Sequence, residues 1–322
     1  MSLPPSALSR LVKPMLKSTH RIAFVVPTKD RPADLRRMFR SVSEQSVHPD
    51  QLIVVDGGDA TIDHVVAEFP DLPLEYVRVY PPSLSRQRNA GMERLRDEIT
   101  LAGYLDDDLV LKPHALGRMS SFWASAPADV GGASFNIINN IPSQQSWLKS
   151  LFLIDNGRRG AVLRSGHNTQ LFPALQTMPV EWLCGGATLW RREVVEKYQY
   201  DEWFIGTGYL EDLDYSFRVG KAYRLFIVGD ACVDHLSPPL RQDVNQLLGQ
   251  WQVINRLYFV RKHPELSVGL CYWASIGHVV VNLAQALRQR DTGYVTRARG
   301  NLVGLRRCLN GRLDQLGGIL KA

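Results

Sequence analysis

Between Arg21 and Asp59 the chain alternates a short apolar run, an amphipathic stretch and a second apolar run, and this alternation constrains the fold more than any other feature. Ile22 to Thr28 (IAFVVPT) has the composition of a buried strand closed by Pro27. Ala33 to Ser46 follows, with Leu35, Met38, Phe39 and Val42 at helical spacing, and Gln51 to Asp59 (QLIVVDGGD) forms another apolar run ending in an acid and two glycines. A strand, helix and strand in so few residues make a βαβ unit, which requires a parallel sheet with a right-handed crossover. A helix over 61–68 and a strand over 74–79 extend the pattern. The fold expected is α/β, with a mixed, mostly parallel sheet flanked by helices.

The next marked strand runs into Asp106, Asp107 and Asp108, with a helix expected over Pro113 to Ser121. Ligands of open α/β sheets bind beyond the carboxyl ends of the strands, so the Asp56 turn and the triple aspartate are expected to share one crevice. Residues 131–180, rich in Gly, Asn, Ser and Gln, suggest one strand and a long mobile region. Sheet pattern returns at WLCGGATLWRREVV and at YRLFIVGDACVDH. No internal repeat is visible. The organisation expected is an N-terminal extension over 1–20, a catalytic domain over 21–240 and a helical region over 241–322, with the boundary near Pro238-Pro239.

The formal charge of +6 is confined to the end of the chain. Residues 1–287 hold 30 basic and 30 acidic side chains, and residues 288–322 hold 8 and 2. Just before that tail, residues 266–287 carry no charge. Ser275, His278, Asn282, Gln285 and Gln289 step by three and four, so an amphipathic helix is favoured over a membrane span. A second helix carries Leu302, Leu305, Leu309, Leu313, Leu316 and Leu320 on one stripe, with Arg299, Arg306, Arg307 and Arg312 around it. Two readings stay open for this pair: peripheral contact with an anionic membrane, or packing on the core or another subunit. Nucleic acid is not expected as a partner, because the basic residues are not interleaved with aromatics. Four widely spaced cysteines without a C-x-x-C pair fit a reducing compartment, and the N-terminus lacks the apolar core of a signal peptide, so the expected location is cytoplasmic.

Three groups could carry chemistry. Asp106, Asp107 and Asp108 are either a solvated acidic turn or hard oxygen ligands for Mg²⁺ or Mn²⁺; flanking apolar runs make close packing without a cation costly. Glu211 and Asp212 open a helix, where the dipole alone favours acids, or supply a general base. His235 ends an apolar strand and is either structural or a nitrogen ligand beside the carboxylates.

Seven segments in order resemble family 2 glycosyltransferases of the GT-A fold: VVPTKDRPADLRRMFRSVSEQS, LIVVDGGD, SRQRNAGM, YLDDDLVL, CGGATLWRREVV, LEDLDYSFRV and VDH. The resemblance spans about residues 21–240 and implies an inverting, non-processive transferase. It would move a sugar from a nucleotide-sugar donor to a hydroxyl of a saccharide or lipid-linked saccharide, in polysaccharide or glycolipid biosynthesis. It implies donor contacts from Pro27, Thr28, Asp56, Arg88, Asp106 and Asp107, and a metal site of Asp106, Asp108 and His235 for Mn²⁺ or Mg²⁺. Asp212 would be the base, with Glu211 orienting sugar or base, and Trp182, Gly185 and Gly186 would face the acceptor. Gly57 stands where the family often has a second aspartate reading the donor base. A sugar nucleotidyltransferase is disfavoured by PTKDRP after the first strand, where a Gly-rich phosphate loop would stand. A non-catalytic carbohydrate- or membrane-surface-binding protein is disfavoured by the retained acidic cluster.

Overall fold

The computed structural model describes residues 20–142, 145–206, 208–236 and 244–311. Most of the expected N-terminal extension, the Pro238-Pro239 boundary and Arg312, Leu313, Leu316 and Leu320 lie outside the described residues. In chain order the elements are β1 (Ile22–Thr28), α1 (Pro32–Ser43), β2 (Gln51–Asp56), α2 (Asp63–Ala67), β3 (Leu74–Arg78), α3 (Leu84–Met92), β4 (Leu101–Leu105), β5 (Leu109–Leu111), α4 (Ala115–Ser125) and β6 (Val130–Ile137). They continue with α5 (Trp147–Leu151), β7 (Met178–Val180), β8 (Ala187–Arg191), α6 (Arg192–Lys197), α7 (Glu211–Gly220), β9 (Arg224–His235), α8 (Val244–Lys262), α9 (Val268–Gln289) and α10 (Thr292–Leu309).

One sheet runs β3-β2-β1-β4-β8-β6-β9-β5, with β7 added against β9. β1 pairs in parallel with β2 on one side and β4 on the other, so the chain order reverses between β1 and β4. Every residue of β1 and β2 is buried. Helices cover both faces of these strands, which explains continuous apolar runs in place of alternation; each fully buried large aliphatic side chain contributes about 1.5–3 kcal/mol. Pro32 opens α1, and Leu35, Met38, Phe39 and Val42 pack beneath it as their spacing predicts. The far half is mixed: β8 is antiparallel to β4 and β6, and β9 is parallel to β6 but antiparallel to β5.

Three expectations change. The run after Leu189 splits, so that Arg192–Lys197 is a helix and not sheet. Beyond β6, residues 145–177 hold only the short helix α5 and are otherwise irregular yet tied down: the Val162–Asn168 bridge closes a small loop, and Ser165, His167 and Thr169 are buried. The third change concerns the leucine stripe of α10, whose Leu302 and Leu309 face outward, while Ala298, Gly300, Asn301, Gly304 and Cys308 pack inward. Gly249 of α8 and Gly300 of α10 let the two backbones touch. A Cβ on Gly300 would lie 2.1 Å from the Gln246 carbonyl oxygen, and one on Gly249 would lie 2.2 Å from that of Arg297.

α8 is joined to α7 by a buried ionic cluster. Asp214 of α7 is fully buried and meets Arg218 at 2.9 Å, Lys262 at 2.8 Å and His263 at 3.1 Å. Lys221 donates to Nδ1 of His263, which leaves Nε2 to donate to Asp214. Burial disfavours the Asp214 charge, but the His263 hydrogen bond and the two cations outweigh it and hold the carboxyl at about 2.

Candidate active site

The crevice lies at the reversal between β1 and β4, where open α/β sheets bind ligands. β4 ends at Leu105, and Asp106, Asp107 and Asp108 form the turn into β5. β5 pairs antiparallel with β9 in the register Leu109 to His235, which carries His235 to Asp108. The backbone N–H of Leu236 donates to the Asp108 carbonyl and fixes that register at the turn.

The three aspartates do different things. Asp107 turns inward, where the Thr28 hydroxyl donates to it at 2.7 Å and Arg31 at 3.2 Å. Burial pushes its carboxyl up to about 7, against the Thr28 bond and the Arg31 charge. Asp106, Asp108 and His235 instead converge, with ligand atoms all within 4.8 Å of one another. Burial opposes a charge on His235, but its 3.0 Å contact with Asp108 raises its pKa. Two carboxylates and one imidazole at this spacing form a suitable donor set for Mn²⁺ or Mg²⁺. Gly186 makes room for it, since a Cβ there would lie 1.9 Å from an Asp106 carboxylate oxygen. Gly186→Ala is therefore expected to displace Asp106 and weaken Mn²⁺ binding at least about tenfold, a loss of roughly 1.4 kcal/mol, measured by calorimetric titration.

Leu210, in the left-handed region at φ 75°, turns the chain into α7, so that Glu211 and Asp212 fall in its first turn. Asp212 stays partly exposed and accepts from the Leu213 N–H at 2.7 Å and the Gly185 N–H at 3.2 Å. Burial of the carboxyl raises its pKa, opposed by the Arg88 charge. Glu211 is buried, and burial followed by the neighbouring Asp212 pushes its carboxyl well above the ordinary range, again against Arg88.

Arg88 ties these groups together. Its guanidinium is buried and donates to Glu211 at 2.8 Å and to Asp106 at 3.1 Å. It also lies over the rings of Tyr104 and Tyr200, at 5.6 and 5.1 Å from their centroids. Gly185 permits this position, because a Cβ there would approach Nη1 of Arg88 to 2.5 Å. One cation thus bridges the acidic turn and the first turn of α7.

Other expected residues build the walls. Pro27 and Thr28 end β1, and Pro27 pairs with Val55. Asp56 is fully buried, accepting from the Tyr76 hydroxyl at 2.6 Å and the Gly58 N–H at 2.7 Å, so it braces the Gly57-Gly58 turn. The Trp182 indole donates to the Thr169 carbonyl and borders a cleft with Asn168, Gln170, Cys184 and His235. Arg31 was visible in the sequence as the basic residue ending PTKDR but carried no assignment. Tyr104 and Tyr200, distant in sequence, gave no signal as supports for Arg88.

The family model for glycosyl transferase family 2 matches residues 23–199, more than half of the chain. The chain belongs to that family. Among solved structures it is similar to the mannosyltransferase PcManGT from Pyrobaculum calidifontis in complex with GDP-Man and Mn²⁺, with 14% identity, a TM-score of 0.57, and 89% of this chain and 87% of that one covered. It is also similar to GalNAc-T7 with UDP, GalNAc and Mn²⁺, at 14% identity and TM-score 0.52, covering 80% of this chain and 55% of that one. These likenesses identify the fold as GT-A. No curated protein matches the chain by sequence. As a member of the family this glycosyltransferase brings together, around one crevice, the acidic turn, His235, Arg88 and the Glu211-Asp212 pair.

Proposed function

We propose that this glycosyltransferase inverts the anomeric configuration in a metal-dependent, non-processive transfer of a sugar from a nucleotide-sugar donor to a saccharide or lipid-linked acceptor hydroxyl. The observation that carries the reading is the Asp212 carboxylate, held by two backbone N–H groups and joined through Glu211 and Arg88 to the Asp106, Asp108 and His235 cluster. An acceptor hydroxyl has a pKa far above neutrality, so a positioned base must take its proton as it attacks. Asp212 does this, and the raised pKa of its carboxyl strengthens it as a base. The Gly185 and Leu213 N–H groups fix its orientation.

Asp106, Asp108 and His235 would hold the divalent cation, which when bound supplies positive charge to the departing diphosphate. Arg31 offers a second positive charge at the same turn and stays half exposed towards the crevice. Asp56 shapes the nucleoside pocket through the Gly57-Gly58 turn that it braces, with Thr28 on the adjoining strand. Trp182 and its cleft form the acceptor side, next to the Gly185 and Gly186 backbone. The reading assigns the reaction to the cytoplasm and to polysaccharide or glycolipid assembly; four free cysteines are compatible with a reducing compartment.

A thermal-shift panel of nucleoside diphosphates with and without Mn²⁺ tests the donor half. One diphosphate at a hundredfold excess over its Kd should add about 2.7 kcal/mol and raise Tm by about 4 °C, only with the metal present. Asp108→Ala should abolish that increment. A panel in which no diphosphate shifts the melt, with or without Mn²⁺, overturns the reading.

A further inference from the structure

We infer that the outward face of α9 and α10 docks this protein on an anionic lipid bilayer. In an amphipathic helix on a soluble protein the large apolar side chains pack inward; in α9 they point out, and the buried side is small or polar, made of Cys271, Ala274, Ser275, Gly277 and Asn282. Ser275 and Asn282 are buried, Asn282 donates to Asn301 of α10 at 2.8 Å, and the His278 ring lies 4.8 Å from that of His167. Trp273, Ile276, Val280, Leu283 and Leu287 point out, 43%, 47%, 37%, 44% and 85% exposed. Their spacing of three, four, three and four residues makes them one continuous stripe.

The stripe does not end with α9. Leu283 and Leu287 share a groove with Val295 of α10, and from Val295 the outward face of α10 continues through Arg299, Leu302, Val303, Arg306 and Leu309. Over Val268–Leu309 the charged residues are Arg288, Arg290, Arg297, Arg299, Arg306 and Arg307 against Asp291 alone. Asp291 already caps α10 by accepting from the Gly293 N–H. Apolar side chains interleaved with arginines, with acids nearly absent, complement a surface of acyl chains beneath anionic headgroups.

The same composition disfavours a second copy as the occupant. A two-fold interface sets identical patches against one another, bringing arginines to arginines, and the core of a protein interface excludes charge. The helix lies on the bilayer and does not cross it, because its inner side is packed against protein, with Asn282 on Asn301 of α10 and Gly277 against the Phe152 side chain. The docking face is also joined to the crevice. The Trp273 indole donates to the Leu151 carbonyl and its ring meets Phe152 at 4.9 Å. Upstream on the same segment, Asn139 exchanges two hydrogen bonds with the His235 backbone. If the glycosyl-transfer reading holds, the acceptor is a lipid-linked saccharide presented from the bilayer; docking itself does not depend on that reading.

Flotation of the full chain with phosphatidylcholine vesicles, with and without phosphatidylglycerol, decides the matter and needs neither donor nor acceptor. The expected result is binding to the anionic vesicles only, reduced by salt. Arg299→Gln with Arg306→Gln should weaken it about 30-fold, on the usual contribution of two arginines at an anionic surface. Leu283→Glu with Leu287→Glu should abolish it. Circular dichroism melts and diphosphate-dependent thermal shifts of both variants should match the parent, which keeps a folding defect apart from a docking defect. Docking is overturned by a parent chain that stays with neither vesicle, by equal binding to both, or by unchanged binding of folded variants. It is equally overturned by a parent dimer in light scattering that the leucine pair dissociates, which would assign the face to a second copy.

Discussion

Asp212→Asn is expected to lower the transfer rate by a factor of about 10²–10⁴, the usual contribution of a positioned general base. Donor affinity should stay nearly unchanged, because the Asp212 carboxylate is held by the Gly185 and Leu213 N–H groups and takes no part in the Asp106, Asp108 and His235 cluster. The amide is close to isosteric but cannot take the acceptor proton. It can also offer an oxygen to only one of the two N–H groups, so a modest loss of stability should accompany the loss of rate. Single-turnover rates with a hydroxyl acceptor, set beside calorimetric titration of the donor with Mn²⁺, separate the two effects. The parent rate should fall as pH drops through the Asp212 pKa, which lies above the ordinary aspartate range, and the variant should lose that limb. A variant that transfers at the parent rate removes Asp212 from the chemistry.

Arg88→Met is expected to have the largest effect on stability. The side chain removed is a buried cation between Glu211 and Asp106, so the substitution leaves carboxylates in the interior without their partner. Breaking a buried pair in this way costs about 3–5 kcal/mol, which for a chain of this size lowers Tm by roughly 4–7 °C. Arg88→Met with Glu211→Gln removes the carboxylate left without its cation, so the pair should recover much of the stability. Activity should not return, because Asp106 and the first turn of α7 would no longer share a partner. Arg88→Lys should also fall short, since an ammonium lacks the planar fork that reaches both carboxylates and lies flat over Tyr104 and Tyr200. An Arg88→Met protein that melts with the parent would refute the bridging role.

The parallel half of the fold was legible because burial on both faces writes itself as continuous apolar runs, and α1 because its apolar positions recur with a helical period. The strand-to-helix change at Arg191 and Arg192 was not, as neither residue is a breaker and the run of Trp, Arg and Val suits either state. For α9 the period revealed two faces but not which one turns inward. That choice rests on Asn282 finding Asn301 and on His278 meeting His167, pairings that exist only in three dimensions. At the crevice, Asp106, Asp108 and His235 could be grouped from strand ends alone, whereas the rings beneath Arg88 come from Tyr104 and Tyr200, nearly a hundred residues apart.

Asp214 sits two residues after Asp212 on the same helix, and of its three hydrogen-bonding partners two, Lys262 and His263, come from the end of α8 or just beyond it. The helical region is therefore not a detachable anchor. A chain shortened before α8 would keep every residue of the crevice yet strip a fully buried carboxylate of most of its compensation, just behind the base. Such a fragment would fail as an enzyme for reasons unrelated to its location, so any search for a minimal catalytic unit has to start from a chain that retains His263.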